Sequence, residues 1–231
     1  TVTLFEQNWV WNGQAGVDRV IPLDGCYTYY TLRGANADTP RSDDSEPVRE
    51  EPSDSWTGGS DFDLSVLGTP SGWAQSYVER AADYGVLSGL TSGYQSAITR
   101  GEFAQLAVNA AELLTGEYYY GSVSDRAETL GLMFGDGKGN FRLNDSLTRQ
   151  ETAVICTRLM RLAGVAPEAD TRVLSDYGDA AEIADWAKDG VGIMTQMGLM
   201  SGTGKGFSPN TTITTEQAIT LFVRVYEKTI Y

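Results

Sequence analysis

A five-residue motif that recurs three times constrains the fold of this chain more than any other feature. It reads Ile98-Thr99-Arg100-Gly101-Glu102, then Leu147-Thr148-Arg149-Gln150-Glu151, and in altered form Ile213-Thr214-Thr215-Glu216-Gln217. In each copy a Thr stands three residues before a Glu or Gln, which is the capping box that begins an α-helix. The sequence therefore predicts three helices that begin at these Thr residues.

An apolar helical pattern follows each motif. Spacings of three and four place its apolar residues on one face of a helix. The predicted buried faces are Phe103, Leu106, Ala107, Ala110, Leu113 and Leu114 in the first copy, Ile155, Cys156, Leu159, Leu162 and Ala163 in the second, and Leu221, Phe222 and Val225 in the third. Each helix is thus expected to bury one side.

A shorter helical pattern precedes each motif and ends in glycine. An aromatic residue and a glycine lie twelve positions apart in every copy: Trp73 and Gly85, Tyr119 and Gly131, Trp186 and Gly198. Each glycine suits the left-handed C′ position that ends a helix. A loop with one aromatic residue follows, namely Tyr94, Phe141 or Phe207. Units of this size cannot bury their apolar faces alone, so the three are expected to pack together.

Composition divides the chain into five segments. Residues 1–35 form a short β-rich segment, with strands expected at 2–5, 9–11 and 26–32 and a turn at Asp24-Gly25. Its aromatic residues suit either a sugar-stacking surface or ordinary packing. Residues 36–61 form an acidic, Pro- and Ser-rich linker. The repeats occupy 62–115, 116–164 and 165–231.

Charge and composition exclude several classes of function. Lys and Arg number 17 against 31 Asp and Glu, a formal net charge of −14, so nucleic acid is not an expected partner. The absence of histidine removes Ser-His-Asp and Cys-His catalysis, and two cysteines cannot hold a structural zinc. No apolar run is long enough for membrane insertion, and no cofactor is expected. The first residue, Thr1, suggests a piece of a longer protein.

The two cysteines leave one alternative open. Cys156 falls on the predicted buried face of its helix, where a packed free thiol is expected. A disulfide between Cys26 and Cys156 is compatible with the sequence, but nothing in the sequence requires it.

The arginine of the motif is the feature that capping does not explain. Arg100 and Arg149 occupy the first helical position, where the helix dipole disfavours a cation. A helix N-terminus attracts anions instead, and the guanidinium fork suits a carboxylate. Either these arginines meet an anionic ligand, or each folds back onto one of the many acidic side chains.

The ordered set of motifs resembles the S-layer homology domain family over residues 62–228. The matching features are Trp73-Ala74 and Trp186-Ala187 at the helix starts, the Gly-x-x-Ser-Gly turn, Phe207-Ser208-Pro209, Leu174-Ser175-Asp176 and the Ile-Thr-Arg-x-Glu motif. The resemblance implies a mainly α fold of three helical repeats packed as a pseudo-trimer. It also implies an extracellular, non-catalytic anchor of the cell wall or surface layer.

The family's binding residues carry over only where this chain matches them. The resemblance implies binding of a secondary cell-wall polysaccharide, often pyruvylated, through Arg100 and Arg149, a helix-end glycine (Gly85, Gly131 or Gly198) and a tryptophan (Trp73 or Trp186). Thr215 replaces the arginine in the third copy, so that groove is expected to be weak or empty. Tyr119 matches the tryptophan by spacing alone. Burial between repeats is the expected role of the two tryptophans, and helix capping alone also explains the glycines.

Three other interpretations were open from the sequence. The exposed-looking Tyr118-Tyr119-Tyr120 run suggests a protein-interaction or self-assembly module, with other surface-layer proteins as partners. Acidic pairs could run glycoside cleavage, but none has a defined spacing. The stretch from Asp136 to Asn140 resembles the start of a calcium loop, yet Phe141 and Leu147 occupy the positions that need Gly and Glu. It is therefore expected to be a glycine-rich turn.

Overall fold

The computed structural model describes residues 22–23, 26–27, 63–202, 204 and 206–230. The chain divides into two units, Thr1–Asp54 and Ser55–Tyr231. In the first unit, β1 (Pro22–Leu23) and β2 (Cys26–Tyr27) pair antiparallel, with Leu23 opposite Cys26. They flank the turn predicted at 24–25. The strands predicted at 2–5 and 9–11, the rest of the strand at 26–32, and the linker at 36–61 lie outside the described residues.

The described residues of the second unit are mainly helical, as predicted. They form three helix pairs: α1 (Gln75–Asp83) with α2 (Arg100–Thr115), α3 (Val123–Thr129) with α4 (Arg149–Leu162), and α5 (Lys188–Gln196) with α6 (Thr215–Ile230). Short 3-10 helices precede α1 and α5, at Leu64–Leu67, Thr171–Asp176, Ala180–Glu182 and Asp185–Ala187. We call the pairs repeats 1, 2 and 3.

The three capping boxes form as predicted. The Thr99 hydroxyl accepts a hydrogen bond from the Glu102 N–H at 3.2 Å, and the Glu102 carboxylate accepts one from the Thr99 N–H at 3.0 Å. Thr148 and Glu151 repeat this arrangement. In the third copy the amide of Gln217 accepts the Thr214 N–H at 3.1 Å. Local chemistry thus places the start of α2, α4 and α6.

A ring of backbone hydrogen bonds relates the three repeats by a pseudo-threefold axis. The Ile98 N–H donates to the Ile213 carbonyl at 3.1 Å, the Ile213 N–H to the Leu147 carbonyl at 3.2 Å, and the Leu147 N–H to the Ile98 carbonyl at 3.2 Å. All three residues are buried. The residues just before the three capping boxes therefore meet at one point and close the pseudo-trimer that the resemblance implied.

Helix packing follows the same cyclic order. The second helices α2, α4 and α6 contact one another at the centre. Each first helix packs on the second helix of the preceding repeat, so that α3 lies on α2, α5 on α4 and α1 on α6. The contact between α1 and α6 joins the two ends of this unit. Each first helix thus depends on a neighbouring repeat for its buried face.

Most of the predicted core residues are buried, but two are not. Leu113 and Leu162 are exposed, although their spacing places them on the apolar face. They lie in the last turns of α2 and α4. Cys156 is a buried free thiol, so the disulfide with Cys26 is not formed. Burial raises the pKa of the Cys156 thiol to about 12, which makes it unreactive.

The aromatic residue of the first loop does not match the other two. The second residue of α6, of α2 and of α4 donates its N–H to a carbonyl in the loop of the next repeat. The acceptors are Tyr94, Leu143 and Pro209, respectively. Tyr94 therefore corresponds to Leu143 and Pro209, and Ser92 takes the place of Phe141 and Phe207. Counting back from the motif Thr gives the same result, since Tyr94 lies five residues before it and the other two lie seven.

The Glu102 carboxylate is the most heavily hydrogen-bonded acid among the described residues. Burial alone would raise its pKa, but hydrogen bonds from the Ser92 hydroxyl and from the N–H groups of Thr91, Thr99 and Ser92 outweigh burial and lower the pKa to about 2. The N–H contacts of Thr91 and Ser92 are 2.8 and 2.7 Å long. Ser92, which replaces an aromatic residue, thus helps to hold a buried charge.

We expect Glu102→Gln to destabilise the protein by about 3 kcal/mol at pH 7. The folded pKa of about 2 lies below the ordinary value of 4.5, so this stabilisation is present above pH 4.5 and is lost as the pH falls towards 2. Urea unfolding of both proteins at pH 7 and pH 2.5 measures it. The difference in free energy of unfolding between the parent and Glu102→Gln should shrink at low pH, whereas exposed Glu79→Gln should show little effect at either pH. A gap that is equal at both pH values would contradict the prediction.

Candidate functional site

The three junctions between repeats bring each motif against the loop of the next repeat. We name them by the first helical residue: the first junction holds Arg100, the second Arg149 and the third Thr215. Their backbone N–H groups donate in the same way to the carbonyls of Asp145, Thr211 and Ser96, at 2.8 to 3.0 Å. The three side chains therefore occupy equivalent positions, and their differences come from sequence.

In the second junction Arg149 is held entirely by neutral groups. Its Nε donates to the Phe207 carbonyl at 2.8 Å and its Nη2 to the Ser201 carbonyl at 2.8 Å. Its guanidinium carbon lies 4.9 Å from the centre of the Phe207 ring. Among the residues that the structure describes, no carboxylate forms an ion pair with Arg149. Partial burial lowers the pKa of Arg149, opposed by nearby Tyr177 and Asp179.

The charge of Asp179 acts on Arg149, but the carboxylate oxygens of Asp179 accept hydrogen bonds from other groups. They accept the N–H groups of Phe207 and Ser208, each at 2.7 Å. Desolvation would raise the pKa of Asp179, but these two hydrogen bonds, its own N–H and the charge of Arg149 lower it. Asp179 thereby fixes the loop that supplies a carbonyl to Arg149.

In the first junction Arg100 is paired with a carboxylate. Its Nε donates to the Phe141 carbonyl at 3.1 Å, just as Arg149 donates to Phe207. Its Nη1 also donates to Glu151 at 2.8 Å, in an ion pair whose Arg100 side chain is 14% exposed. The sequence left open whether the arginines fold back onto acidic side chains. Arg100 does so and Arg149 does not.

The third junction offers no cation in this position. The Thr215 hydroxyl reaches only the Ser96 carbonyl, at 3.4 Å. The next residue, Glu216, is buried and accepts hydrogen bonds from the Ser71 N–H and hydroxyl, both at 2.9 Å. This junction therefore carries acidic groups where the second carries a guanidinium.

Both tryptophans are exposed, so their expected burial between repeats is wrong. Trp73 is 53% exposed and Trp186 is 59% exposed. Each lies in the turn just before a first helix, and the small residue that follows, Ala74 or Ala187, takes the buried position. The alanine therefore fills the space between helices that the sequence suggested for the indole.

The structure pairs each tryptophan with the motif of the preceding repeat. The 3-10 turn Asp185–Ala187, which contains Trp186, packs against α4. Two residues before Trp186, the Ala184 N–H donates to Gln150, the neighbour of Arg149, at 3.0 Å. In the same way Ser71, two residues before Trp73, bonds Glu216 in the third junction. Among the described residues, only the second junction combines a motif arginine with a tryptophan.

Tyr119 does not occupy the place of the missing tryptophan. It lies before α3 begins at Val123, and its N–H donates to Glu112 at 3.2 Å. Glu112 is twelve residues along α2 from Arg100, a distance of about 18 Å in a straight helix. The Tyr119 hydroxyl donates to Glu117 at 2.7 Å. Equal spacing from the glycine therefore misled the alignment, because α3 begins two residues later than its counterparts.

The three glycines end the first helices in one way. Gly85, Gly131 and Gly198 have φ of 70°, 67° and 64°. Each donates to the carbonyl three residues back, and the next residue donates to the carbonyl five residues before it, which is the Schellman motif. The capping role is therefore present at all three. The space beside each glycine is open.

Sequence inspection missed the residues that bind these helix ends. Ten positions after each motif Thr, a polar side chain reaches the turn of its own repeat: Asn109 donates to the Val86 carbonyl at 2.8 Å, Arg158 to Leu132 at 3.1 Å and Arg224 to Leu199 at 2.9 Å. A cation is favourable at a helix C-terminus. The recurrence at a fixed offset is the signal that could have found them.

Gly198 also lines a cleft between repeats 3 and 1. The cleft has a volume of about 560 Å³ and is lined by Tyr77, Arg80, Met197, Gly198, Leu199, Arg224, Glu227 and Lys228. Arg80 pairs with Glu227, and Arg224 is bound to helix-end carbonyls. Two of its three cations are therefore already engaged.

We expect Gly198→Ala to lower the free energy of unfolding by about 1 to 2 kcal/mol, because alanine is strained at positive φ. Open space beside the residue excludes a steric cause. Thermal unfolding measures the effect. Gly72→Ala is the matched control, since Gly72 also has open space but lacks positive φ. Equal stability of the two variants would remove the capping explanation.

The stretch resembling a calcium loop is a glycine-rich turn. The Asp136 carboxylate accepts the N–H groups of Lys138 and Asn140, and Gly137 and Gly139 have positive φ. The part of the chain that the structure describes contains no cluster of three or more metal-binding side chains. Within that same part, none of the helices has the length and apolarity needed to cross a membrane.

Three capped helix pairs, closed into a ring by hydrogen bonds between their motifs, define a module of three helical repeats. The family model of the S-layer homology domain matches residues 66–104, 125–153 and 176–219. One matched segment lies in each repeat. The chain therefore belongs to the S-layer homology domain family, with three domains in tandem. Domains of this family are cell-surface anchoring modules, and proteins that contain them are associated with the cell surface.

Three known proteins resemble this chain over part of their own length. The chain is 28% identical over 204 residues to exoglucanase XynX of Acetivibrio thermocellus, covering 75% of this chain and 19% of that protein. It is 26% identical over 183 residues to an amylopullulanase of Thermoanaerobacterium thermosulfurigenes (73% and 10%). It is 30% identical over 175 residues to a surface-layer 125 kDa protein of Lysinibacillus sphaericus (68% and 14%). This chain spans less than a fifth of each relative.

Proposed function

We propose that this chain is a non-catalytic anchor that binds an anionic secondary cell-wall polysaccharide, with a pyruvate ketal as the recognised group. The second junction is the proposed binding groove, with Arg149 for the carboxylate and Trp186 for a sugar ring. The three proposed repeats are residues 62–115, 116–164 and 165–231. This proposal gives no main carbohydrate-binding role to Arg100, Trp73, Tyr119 or the three glycines.

The observation that carries the proposal is the unpaired charge of Arg149. Two of its five guanidinium N–H groups bond to backbone carbonyls, and the other three have no acceptor among the described residues. Partial burial makes the cation poorly hydrated, as its lowered pKa indicates. A ligand carboxylate would supply the missing countercharge through charge-assisted hydrogen bonds.

Trp186 adds an exposed apolar surface to the same junction. Its indole is mostly exposed although it belongs to a turn held by Gln150. An exposed, rigid aromatic side chain next to a polar anchor is typical of binding surfaces. The C–H face of a pyranose ring suits such a surface, while its ketal carboxylate would face Arg149.

The test is sedimentation of the protein with purified cell-wall sacculi from a bacterium whose wall polymer carries pyruvate ketals. Binding should be lost after mild acid removes the pyruvate, and the double variant Arg100→Ala, Arg149→Ala should not bind untreated sacculi. Binding that survives both changes would overturn the proposed site. Exposed Arg172→Ala is the control, because it removes an arginine that pairs with Asp170 and not with a junction residue.

A second candidate function is self-assembly within a surface layer. Tyr118 and Tyr120 are 79% and 91% exposed, and large exposed aromatic residues occur at protein interfaces. If this function is correct, light scattering should show association that rises with concentration and falls in a Tyr118→Ser, Tyr120→Ser variant. A monomer at all concentrations would exclude it.

A further inference from the structure

The first and second junctions hold the same arginine in the same backbone setting, but the partners of the two guanidinium groups differ. Both side chains donate from Nε to a loop carbonyl, Phe141 in one and Phe207 in the other. Within the described part of the chain, Arg100 has a carboxylate partner and Arg149 has none. The difference therefore lies in what the next repeat presents to the guanidinium.

The partner of Arg100 is the capping residue of the following repeat. Glu151 uses one oxygen to accept the Thr148 N–H at 2.9 Å and the other to accept Arg100 at 2.8 Å. One side chain thus caps α4 and neutralises the neighbouring arginine. Both tasks need the two oxygens of a carboxylate.

Gln217 occupies the corresponding position in repeat 3. Its oxygen accepts the Thr214 N–H at 3.1 Å, as in the other capping boxes. Its second branch is then an NH₂ group, which is a donor and cannot accept from a guanidinium. The substitution keeps the helix cap and removes the acceptor that would neutralise Arg149.

We propose that the capping residue of the following repeat determines which junction can take an anionic ligand: Gln217 keeps the Arg149 junction open, and Glu151 closes the Arg100 junction. This inference rests on the proposed function, because it assumes that the ligand is an anion bound by the motif arginine. It gives Glu151 and Gln217 a role in choosing the binding junction, in addition to their role in helix capping.

The third junction shows the opposite extreme. Thr215 provides no cation, and the capping residue there is Glu102, whose carboxylate is fully used by the 91–92 loop and Thr99. The neighbouring Glu216 adds a further buried acid. The three junctions therefore differ in their charged groups. Arg100 is paired with Glu151, Arg149 feels the charge of Asp179 but forms no ion pair among the described residues, and the third junction holds buried acids without a motif arginine.

The test exchanges the two capping residues. We expect Gln217→Glu to weaken binding to pyruvylated sacculi about tenfold or more, since a new carboxylate would compete for Arg149. We expect Glu151→Gln to release Arg100 and to raise the number of binding sites per protein for a small probe, an N-acetylmannosaminide carrying a pyruvate ketal, measured by calorimetry. Gln217→Glu keeps the helix cap, so its thermal unfolding should remain close to that of the parent, whereas Glu151→Gln also loses the ion pair with Arg100 and should unfold at a lower temperature while staying folded at the temperature of the assay.

The outcomes separate this inference from the proposed function. Parent protein that binds, loses binding in Arg149→Ala and keeps full binding in Gln217→Glu would overturn the inference alone. Parent protein that does not bind pyruvylated sacculi would overturn the proposed function. Weakened binding in Gln217→Glu with unchanged stability, together with restored binding in Gln217→Glu, Glu151→Gln, would support the exchange of sites.

Discussion

Replacing Arg149 with alanine is expected to abolish most binding to pyruvylated cell walls, while the same change at Arg100 leaves it nearly intact. Removing one partner of a partly buried charge pair typically costs 2 to 5 kcal/mol, so we expect a loss of about 30-fold or more for Arg149→Ala. Arg100 is already neutralised by Glu151, so its loss should change affinity by about threefold at most. Equilibrium sedimentation with sacculi measures both.

Loss of local structure must be separated from loss of the ligand contact. Arg149 also holds the carbonyls of Ser201 and Phe207, so Arg149→Ala could loosen that loop. Arg149→Lys keeps the charge but loses the planar fork, and it should bind more weakly than the parent yet better than the alanine variant. Thermal unfolding of each variant shows whether the fold is intact. Equal losses at Arg100 and Arg149 would contradict the distinction between the junctions.

A chain that ends at residue 211 is expected to lose cooperative folding of all three repeats. The deletion removes α6, whose buried side chains include six large apolar residues: Ile219, Leu221, Phe222, Val223, Val225 and Tyr226. At about 1.5 to 3 kcal/mol each, their contribution matches the whole stability of a typical domain, about 5 to 15 kcal/mol. The deletion also opens the hydrogen-bonded ring at Ile213 and leaves α1 without its partner helix.

Circular dichroism during thermal unfolding measures this effect. The matched control is a chain of residues 55–231, which keeps the complete ring and should unfold in one sharp transition. The point variant Phe222→Ala, at a fully buried site, should cost about 3 to 5 kcal/mol without opening the ring. A sharp transition in the chain that ends at 211 would show that repeats 1 and 2 fold independently and would contradict the cyclic packing.

Much of the secondary structure could be predicted because it depends on contacts close in sequence. The capping boxes join residues three apart, and the glycine ends join residues three to five apart, so each follows from a short segment. Apolar spacing likewise predicted the buried faces, except at Leu113 and Leu162, which are exposed in the last turns of their helices. Spacing failed at Tyr119, because it assumes that equal separation means equal structure.

The candidate site needed the tertiary structure. The sequence suggested two equal arginines and two buried tryptophans, and the fold makes the arginines unequal and exposes the tryptophans. Arg100 meets Glu151, and Gln150 next to Arg149 bonds the turn of Trp186, because each first helix packs on the preceding repeat and α1 closes on α6. These partners lie more than 30 residues apart, so no local rule brings them together. The sequence alone determined where α2, α4 and α6 begin and where α1, α3 and α5 end, because these signals are local, whereas only the cyclic packing decided which motif arginine meets a carboxylate.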